Sequence, residues 1–369
     1  MEIEVTQEKL AKALATVSRV AMGAKSTLPI LSNVLIRVDK EKVSLTTTNL
    51  DMAVVEYVPV INSKDGVITA PARLLAEFIQ NLPKGEKVII KTNGDKISTE
   101  VGDKYISTIN GASADDFPEL PEINEDKAVI FKMNIDEFKA GLSQVIIAAS
   151  GDTTRPSLTG VYFNTYNSAL YVAATDGYRL AERKFIKKVE SDIAAIVPTS
   201  SLQEVLRSIP DEAEEIEILF DDTQVRFRAA ELEITSKLIN GTFPDYRELI
   251  PKDNDVEACV DKEELIRVVK IAALFARESN RAINCTVDSK KKVLEVASIS
   301  NEVGENKSEV DGKVKGDGNI KLDSRFLMDA LNAFEGKDIE FSFSTGTSPL
   351  LITNRDDDNY YHLIMPLNG

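Results

Sequence analysis

Apolar residues recur at i, i+3, i+4 and i+7 in six stretches of the chain, the spacing that lines one face of an α-helix. These stretches begin near Gln7, Pro71, Asn134, Pro198, Asp261 and Asp323, at intervals of 64, 63, 64, 63 and 62 residues. Short alternating runs follow each stretch, joined by turn signals. Examples are the runs at 88–91 and 97–101 about Asn93-Gly94, and those at 216–220 and 225–228 about Asp221-Asp222. So even an interval marks a repeated unit of strand, helix and antiparallel strands.

The odd and even copies form separate families. Val5-Thr6-Gln7-Glu8-Lys9-Leu10, Met133-Asn134-Ile135-Asp136-Glu137-Phe138 and Val260-Asp261-Lys262-Glu263-Glu264-Leu265 each run from a strand into a capping residue and then acidic residues. Both features favour a helix start, through the free backbone N–H groups and the helix dipole. Pro71-Ala72-Arg73-Leu74-Leu75, Pro198-Thr199-Ser200-Ser201-Leu202 and Asp323-Ser324-Arg325-Phe326-Leu327 make the second set, and Pro83 and Pro210 stop two of its helices. Two units make an ordinary domain. The expected fold is α+β, three similar domains at 1–122, 123–251 and 252–369, with boundaries in the proline-marked, charged stretches that begin at Phe117-Pro118 and Phe243-Pro244.

Charge and composition narrow the function. The 369 residues are 43% hydrophobic, enough for real cores, and 60 acidic against 44 basic residues give a net charge of −16. A surface of that sign does not wrap nucleic acid with its whole area. Two cysteines and one histidine exclude a disulfide framework, a four-thiolate zinc site and a histidine-rich metal centre. The acidic, alternating start and the lack of a long apolar run point to a soluble, cytoplasmic protein without membrane contact.

Candidate chemistry is sparse. Any carboxylate pair in so acidic a chain would be an arbitrary choice, so a hydrolase reading has nothing specific behind it. Asp356-Asp357-Asp358 reads as an exposed hairpin tip, and Asp311 to Asn319, with Gly312, Gly316 and Gly318, as a flexible connection. That stretch lacks the ending of a P-loop and the spaced carboxylates of an EF-hand. His362 and Cys259 read as structural residues on strands. No catalytic residue, metal or cofactor is expected.

One stretch carries more. Ala174-Thr175-Asp176-Gly177-Tyr178-Arg179-Leu180-Ala181 resembles the signature of bacterial sliding clamps, the beta subunits of DNA polymerase III. Thr27-Leu28-Pro29-Ile30-Leu31-Ser32-Asn33, Thr69-Ala70-Pro71-Ala72-Arg73, the run from Ser236 to Tyr246 and Met365-Pro366 are similar to further segments of that family, in the same order along the chain. The resemblance implies three clamp domains per chain and half of a closed ring, with two chains head to tail around duplex DNA. It implies no catalysis: the ring gives the replicative polymerase its processivity.

The sixfold repeat agrees, since two chains would bring twelve helices to one hole. Helical windows at 7–25, 71–84, 134–155, 198–210, 261–281 and 323–337 hold 16 basic and 13 acidic residues, a net of +3, leaving a net of −19 elsewhere. With charges screened over ~8 Å, a basic lining can meet DNA while an acidic exterior stays remote. Candidate lining residues are Lys9, Lys12, Lys25, Arg73 and Arg277.

By the same resemblance a hydrophobic groove receives short peptides of the replicative polymerase, the clamp loader, other polymerases and repair proteins. Its members would be Leu158, Thr175, Gly177, Tyr178, Arg179, Leu180, Pro244, Leu249, Ile364, Met365, Pro366 and Leu367. Tyr105, Ile106, Leu274 and Phe275 would form the homodimer interface. Tyr178 stands where the family often has histidine, Glu248 where a basic residue is frequent, and Asn368-Gly369 replaces a basic-apolar ending. A scaffold that used the groove alone would not need the helix lysines, which separates it from a clamp.

Overall fold

The computed structural model describes residues 1–23, 28–39, 42–120, 122–277 and 279–367. Six α-helices stand where the periodicity places them: α1 (Gln7–Gly23), α2 (Ala72–Gln80), α3 (Ile135–Ile146), α4 (Thr199–Ser208), α5 (Lys262–Ala276) and α6 (Ser324–Ala333). Side chains start the last two. Asp261 accepts from the Glu264 N–H at 3.0 Å and Asp323 from the Arg325 N–H at 2.8 Å, satisfying donors that a first turn leaves free. α3 is shorter than the 134–155 window. Beyond Ile146 the chain turns on its own side chains, with Ser150 Oγ accepting from Asp152 N at 3.0 Å and Asp152 Oδ1 from Thr154 N at 2.9 Å. Such local bonds compete with the helical ladder.

By compactness the chain divides into two units, one of residues 1–135 and 200–238, the other of 136–199 and 239–369. The first unit holds two sheets. Five strands run in the order Asn62–Lys64, Glu2–Thr6, Lys87–Asn93, Lys96–Val101 and Tyr105–Asn110. Eight run in the order Val129–Asn134, Glu215–Phe220, Gln224–Ala229, Leu232–Lys237, Met52–Val58, Lys42–Thr48, Asn33–Asp39 and Gly66–Pro71. α1 packs on the strands Lys42–Thr48 and Met52–Val58 and against α2, burying Leu10, Leu14 and Val17. Arg19 joins α1 to α4, donating from Nε to Glu204 Oε1 at 2.8 Å and from Nη2 to Ser208 Oγ at 2.7 Å.

The second unit is one sheet of twelve strands. Their order is Ala194–Pro198, Gly160–Tyr166, Ala169–Thr175, Arg179–Ile186, Asp357–Ile364, Leu350–Asn354, Asp338–Phe343, Val256–Asp261, Gly304–Lys315, Val293–Ser300, Ala282–Asp288 and Gly318–Asp323. α5 lies on Val293–Ser300 and Gly304–Lys315 and packs against α6. The expected flexible connection at 311–319 is instead part of this sheet. Its strands continue to Lys315 and resume at Gly318. A Cβ on Gly312 would stand 2.6 Å from the Cys259 carbonyl oxygen, and one on Gly316 (φ +75°) 2.3 Å from that of Asp255. The glycines are there for close backbone approach, not for flexibility.

The repeat extends to single hydrogen bonds. Thr48 Oγ1 donates to the Met52 carbonyl at 2.9 Å and accepts from Leu50 N at 3.1 Å. Thr175 Oγ1 donates to the Arg179 carbonyl at 2.6 Å and accepts from Gly177 N at 3.1 Å. The third residue of each turn has positive φ, +76° at Leu50 and +89° at Gly177. Each turn is then met by an N–H from the far end of its sheet partner, Lys237 to Asp51 O at 2.9 Å and Met365 to Tyr178 O at 2.8 Å.

Two buried titratable groups stand apart from any chemistry. His362 is fully buried with Nδ1 3.1 Å from the Tyr360 hydroxyl, and burial pulls its pKa down to about 3, so it stays neutral. Glu56, on Met52–Val58, is 8% exposed and its Oε2 lacks a partner among the described residues. Burial raises its pKa from 4.5 to about 7 against the pull of Lys12 and Arg19. Through that window the folded chain holds a proton that the unfolded chain has released, so stability falls as pH rises. Glu56→Gln is expected to remove this slope and to add about 2–3 kcal/mol above pH ~7, read as urea midpoints measured across the window.

Candidate functional site

In the second unit, the turn between the strands Ala169–Thr175 and Arg179–Ile186 is built by its own side chains. Asp176 Oδ1 accepts from Tyr178 N at 2.9 Å and Arg179 N at 3.0 Å. This Asx arrangement, with glycine at the positive-φ position, leaves Tyr178 65% exposed. The Tyr178 ring stacks on Phe326 of α6, with centroids 6.4 Å apart and planes 20° apart. Arg179 does not reach outward. Its Nε lies 3.1 Å from Asp176 Oδ2, its Nη1 2.7 Å from Asp329 Oδ2, and its guanidinium 4.6 Å from the Phe326 ring centre. It fastens the turn to α6.

The chain end runs alongside. Asp357–Ile364 pairs with Arg179–Ile186, setting Leu180 opposite Leu363 and Arg179 opposite Ile364. The Met365 N–H continues the ladder to Tyr178, and the Leu367 N–H bonds to the Lys321 carbonyl at 2.8 Å. Met365, Pro366 and Leu367 are therefore pinned by backbone and half-buried. Pro244 and Leu249 are also exposed, the latter 51%. Under them lies an apolar cluster of Ala173, Leu180, Ile196, Phe243, Tyr246 and Leu363. Beside the turn, a cavity of about 530 Å³ is lined by Asp152, Arg155, Arg325 and Phe326 among others.

The twelve residues singled out for a groove thus fall in one unit but in different settings. Met365, Pro366, Leu367, Pro244, Leu249 and Tyr178 offer surface. Leu180 at 3% exposure, Ile364 at 0% and Leu158 at 7% are core beneath it, because their strand neighbours and the turn Pro156–Leu158 cover them. Thr175 and Gly177 shape the turn. Phe326 and Asp329 went unforeseen: they lie about 150 residues from the turn they brace, and no local motif links them.

Cationic candidates occupy exposed helix positions. Lys9 and Lys12 are exposed on α1, and Lys12 Nζ lies 2.7 Å from Glu212 Oε1. Arg73 on α2 pairs with Glu77 one turn on, at 2.8 Å. Arg277 is exposed just past α5, and Lys25 lies outside the described residues. Arg267 and Lys270, exposed on α5 with Arg277 at helical spacing, were not singled out from sequence although the period marks them.

Two of the open strand edges carry the interface candidates. Tyr105–Asn110 ends the five-stranded sheet, with Tyr105 45% and Ile106 68% exposed. Gly304–Lys315 pairs with Val256–Asp261 only from Gly312 onward, so its earlier part is bonded on one side. On α5, which packs on that strand, Leu274 is 57% exposed and Phe275 half-buried.

Three family models account for this arrangement end to end. Residues 1–121 match the N-terminal domain of the DNA polymerase III beta subunit, 132–245 its central domain and 247–368 its C-terminal domain. The chain belongs to that family, the beta sliding clamps. The beta sliding clamp of Bacillus subtilis is 29% identical over 379 aligned positions, covering 100% of this chain and 99% of that one. That of Staphylococcus aureus is 29% identical, with 94% of each chain covered. The crystal structure of the B. subtilis clamp superposes with a TM-score of 0.93 at 28% identity, over 100% of this chain and 99% of the other. A Pseudomonas aeruginosa clamp bound to griselimycin gives 0.94 at 26% identity, over 100% of both. As a sliding clamp the chain is a DNA-replication protein that docks partners and not an enzyme, and the expected clamp fold of α+β type is the one found. No helix among the described residues is long and apolar enough to cross a membrane.

Proposed function

We propose that two copies of this chain close head to tail into a ring around duplex DNA and hold the replicative polymerase there, in the cytoplasm. Three domains, at 1–122, 123–251 and 252–369, make up each half. The observation that carries this reading is the sixfold helix repeat in a chain of the clamp family. At the junction the open edge of Tyr105–Asn110, with Ile106, pairs with the one-sided edge of Gly304–Lys315 in the partner, beside Leu274 and Phe275. That pairing closes two exposed edges, and a heterologous contact gives a ring only where its rotation closes.

Lys9, Lys12, Lys25, Arg73 and Arg277, with Arg267 and Lys270, face the duplex. Their contacts are with phosphates, blind to sequence and screened by salt, so persistence comes from topology. The ion pairs of Lys12 and Arg73 are exposed and hence weak, and a phosphate oxygen can replace either carboxylate. The groove between the Tyr178 turn, Pro244, Leu249 and Met365–Leu367 receives short apolar peptides of the replicative polymerase, the clamp loader, other polymerases and repair proteins. The griselimycin-bound relative supports a ligand-receiving surface on this fold.

The test is retention after loading. The clamp is expected to stay on a nicked circle and to run off the same DNA once linearised; equal loss from both would overturn the ring. Reversing Arg267, Lys270 and Arg277 to glutamate should leave the dimer intact, weaken residual DNA binding, and reduce the log–log salt slope by about 3 at ~0.9 per phosphate contact.

A further inference from the structure

In the proposed groove the segment from Pro244 to Leu249 forms one wall, yet its turn Arg247–Leu249 closes on itself, Leu249 N bonding to Tyr246 O at 3.0 Å. Side chains tie it to the sheet. Phe243 stacks on Tyr162 with centroids 4.8 Å apart. Tyr246, 3% exposed, donates its hydroxyl to Glu182 Oε2. Arg247 sets Nη2 2.8 Å from the same oxygen and donates to Asn164 Oδ1 at 3.3 Å. The Arg247 guanidinium also lies 4.1 and 4.6 Å from the ring centres of Tyr166 and Tyr171. Glu182 is the common partner. It sits on Arg179–Ile186, three residues beyond the groove turn, with 2% exposure and Tyr361 opposite it in the ladder.

A carboxylate so deep is tolerated only when paired and hydrogen-bonded. The strand holding it is paired on both sides, so its bonds fix the linker in one place. We propose that Glu182 is a positioning residue for the docking groove: through Tyr246 and Arg247 it locks the 243–250 linker so that Pro244 and Leu249 face Met365 across a preformed gap. Nothing touching the ligand is required of Glu182. Its contribution is to keep the wall ordered before binding, which removes an ordering cost from association.

The inference rests on the groove reading, and the experiment separates the two. Griselimycin is titrated into the full-length native dimer and into variants Glu182→Gln, Tyr246→Phe, Glu182→Gln with Arg247→Gln, and Met365→Asp. Hydrogen exchange of the 245–250 amides is followed in each. Glu182→Gln and Tyr246→Phe are expected to weaken binding about tenfold and to speed exchange in that segment alone, while solution mass stays that of the dimer. Adding Arg247→Gln should do no further harm and should restore part of the loss, since it removes the arginine stranded without its carboxylate.

Binding by Glu182→Gln and Tyr246→Phe at native strength, with Met365→Asp inactive, overturns the positioning role and leaves the groove standing. Undiminished binding by Met365→Asp overturns the groove. Should Glu182→Gln fail to fold, Tyr246→Phe, which deletes one oxygen, carries the same two outcomes.

Discussion

A chain carrying Ile106→Asp and Leu274→Asp is expected to run in solution at 40.6 kDa, and the native protein, as the proposed dimer, at twice that mass. Ile106 is 68% and Leu274 57% exposed in the single chain, so neither substitution disturbs a core, and each monomer should melt as the native monomer does. In the proposed junction both positions are covered. An unpaired carboxylate buried in an apolar contact costs about 3–5 kcal/mol, or about two to four powers of ten in affinity. Two such charges on the two faces of one junction exceed what an edge pairing returns. Retention on circular DNA should vanish with the dimer. A native mass in the double variant would place the interface elsewhere.

Met365→Asp should abolish groove binding while the dimer and its hold on DNA remain. Met365 is fixed by its backbone bond to Tyr178 and is only half-buried, so the charge enters the proposed groove and not the core. A thioether there adapts to varied apolar partners, whereas a carboxylate would have to lose its water on docking. Leu249→Asp, at a 51% exposed position, should act alike from the opposite wall. Leu180→Asp is a different experiment. Leu180 is packed with Ala173, Phe243 and Leu363, so the charge would destabilise the fold itself and report nothing about docking. Native binding by both Met365→Asp and Leu249→Asp would move the site off this face.

How far a motif could be read depended on whether its meaning is local. The octet about Asp176-Gly177 was legible because its turn is made by residues two to four apart. The role of Arg179 within it was not, since Asp329 and Phe326 hold that side chain from another repeat. The glycines from 312 to 318 show the reverse error. Composition suggested slack, and only the Cys259 and Asp255 carbonyls beside them explain why nothing larger fits. Glu182 offered no signal at all among 60 acidic residues.

The sequence by itself determined the six helices, where each begins and the strand-turn-strand units behind them. Those rest on capping, periodicity and turn chemistry, which act within about a helical turn of chain. Tertiary structure alone decided which apolar residues proposed for the groove were buried and which stayed on the surface, which strand edges were left open, and that a buried carboxylate would anchor the linker. Burial and pairing are settled by partners far off in the chain, such as Asp357–Ile364 meeting Arg179–Ile186, and no local pattern names a residue's partner at that distance.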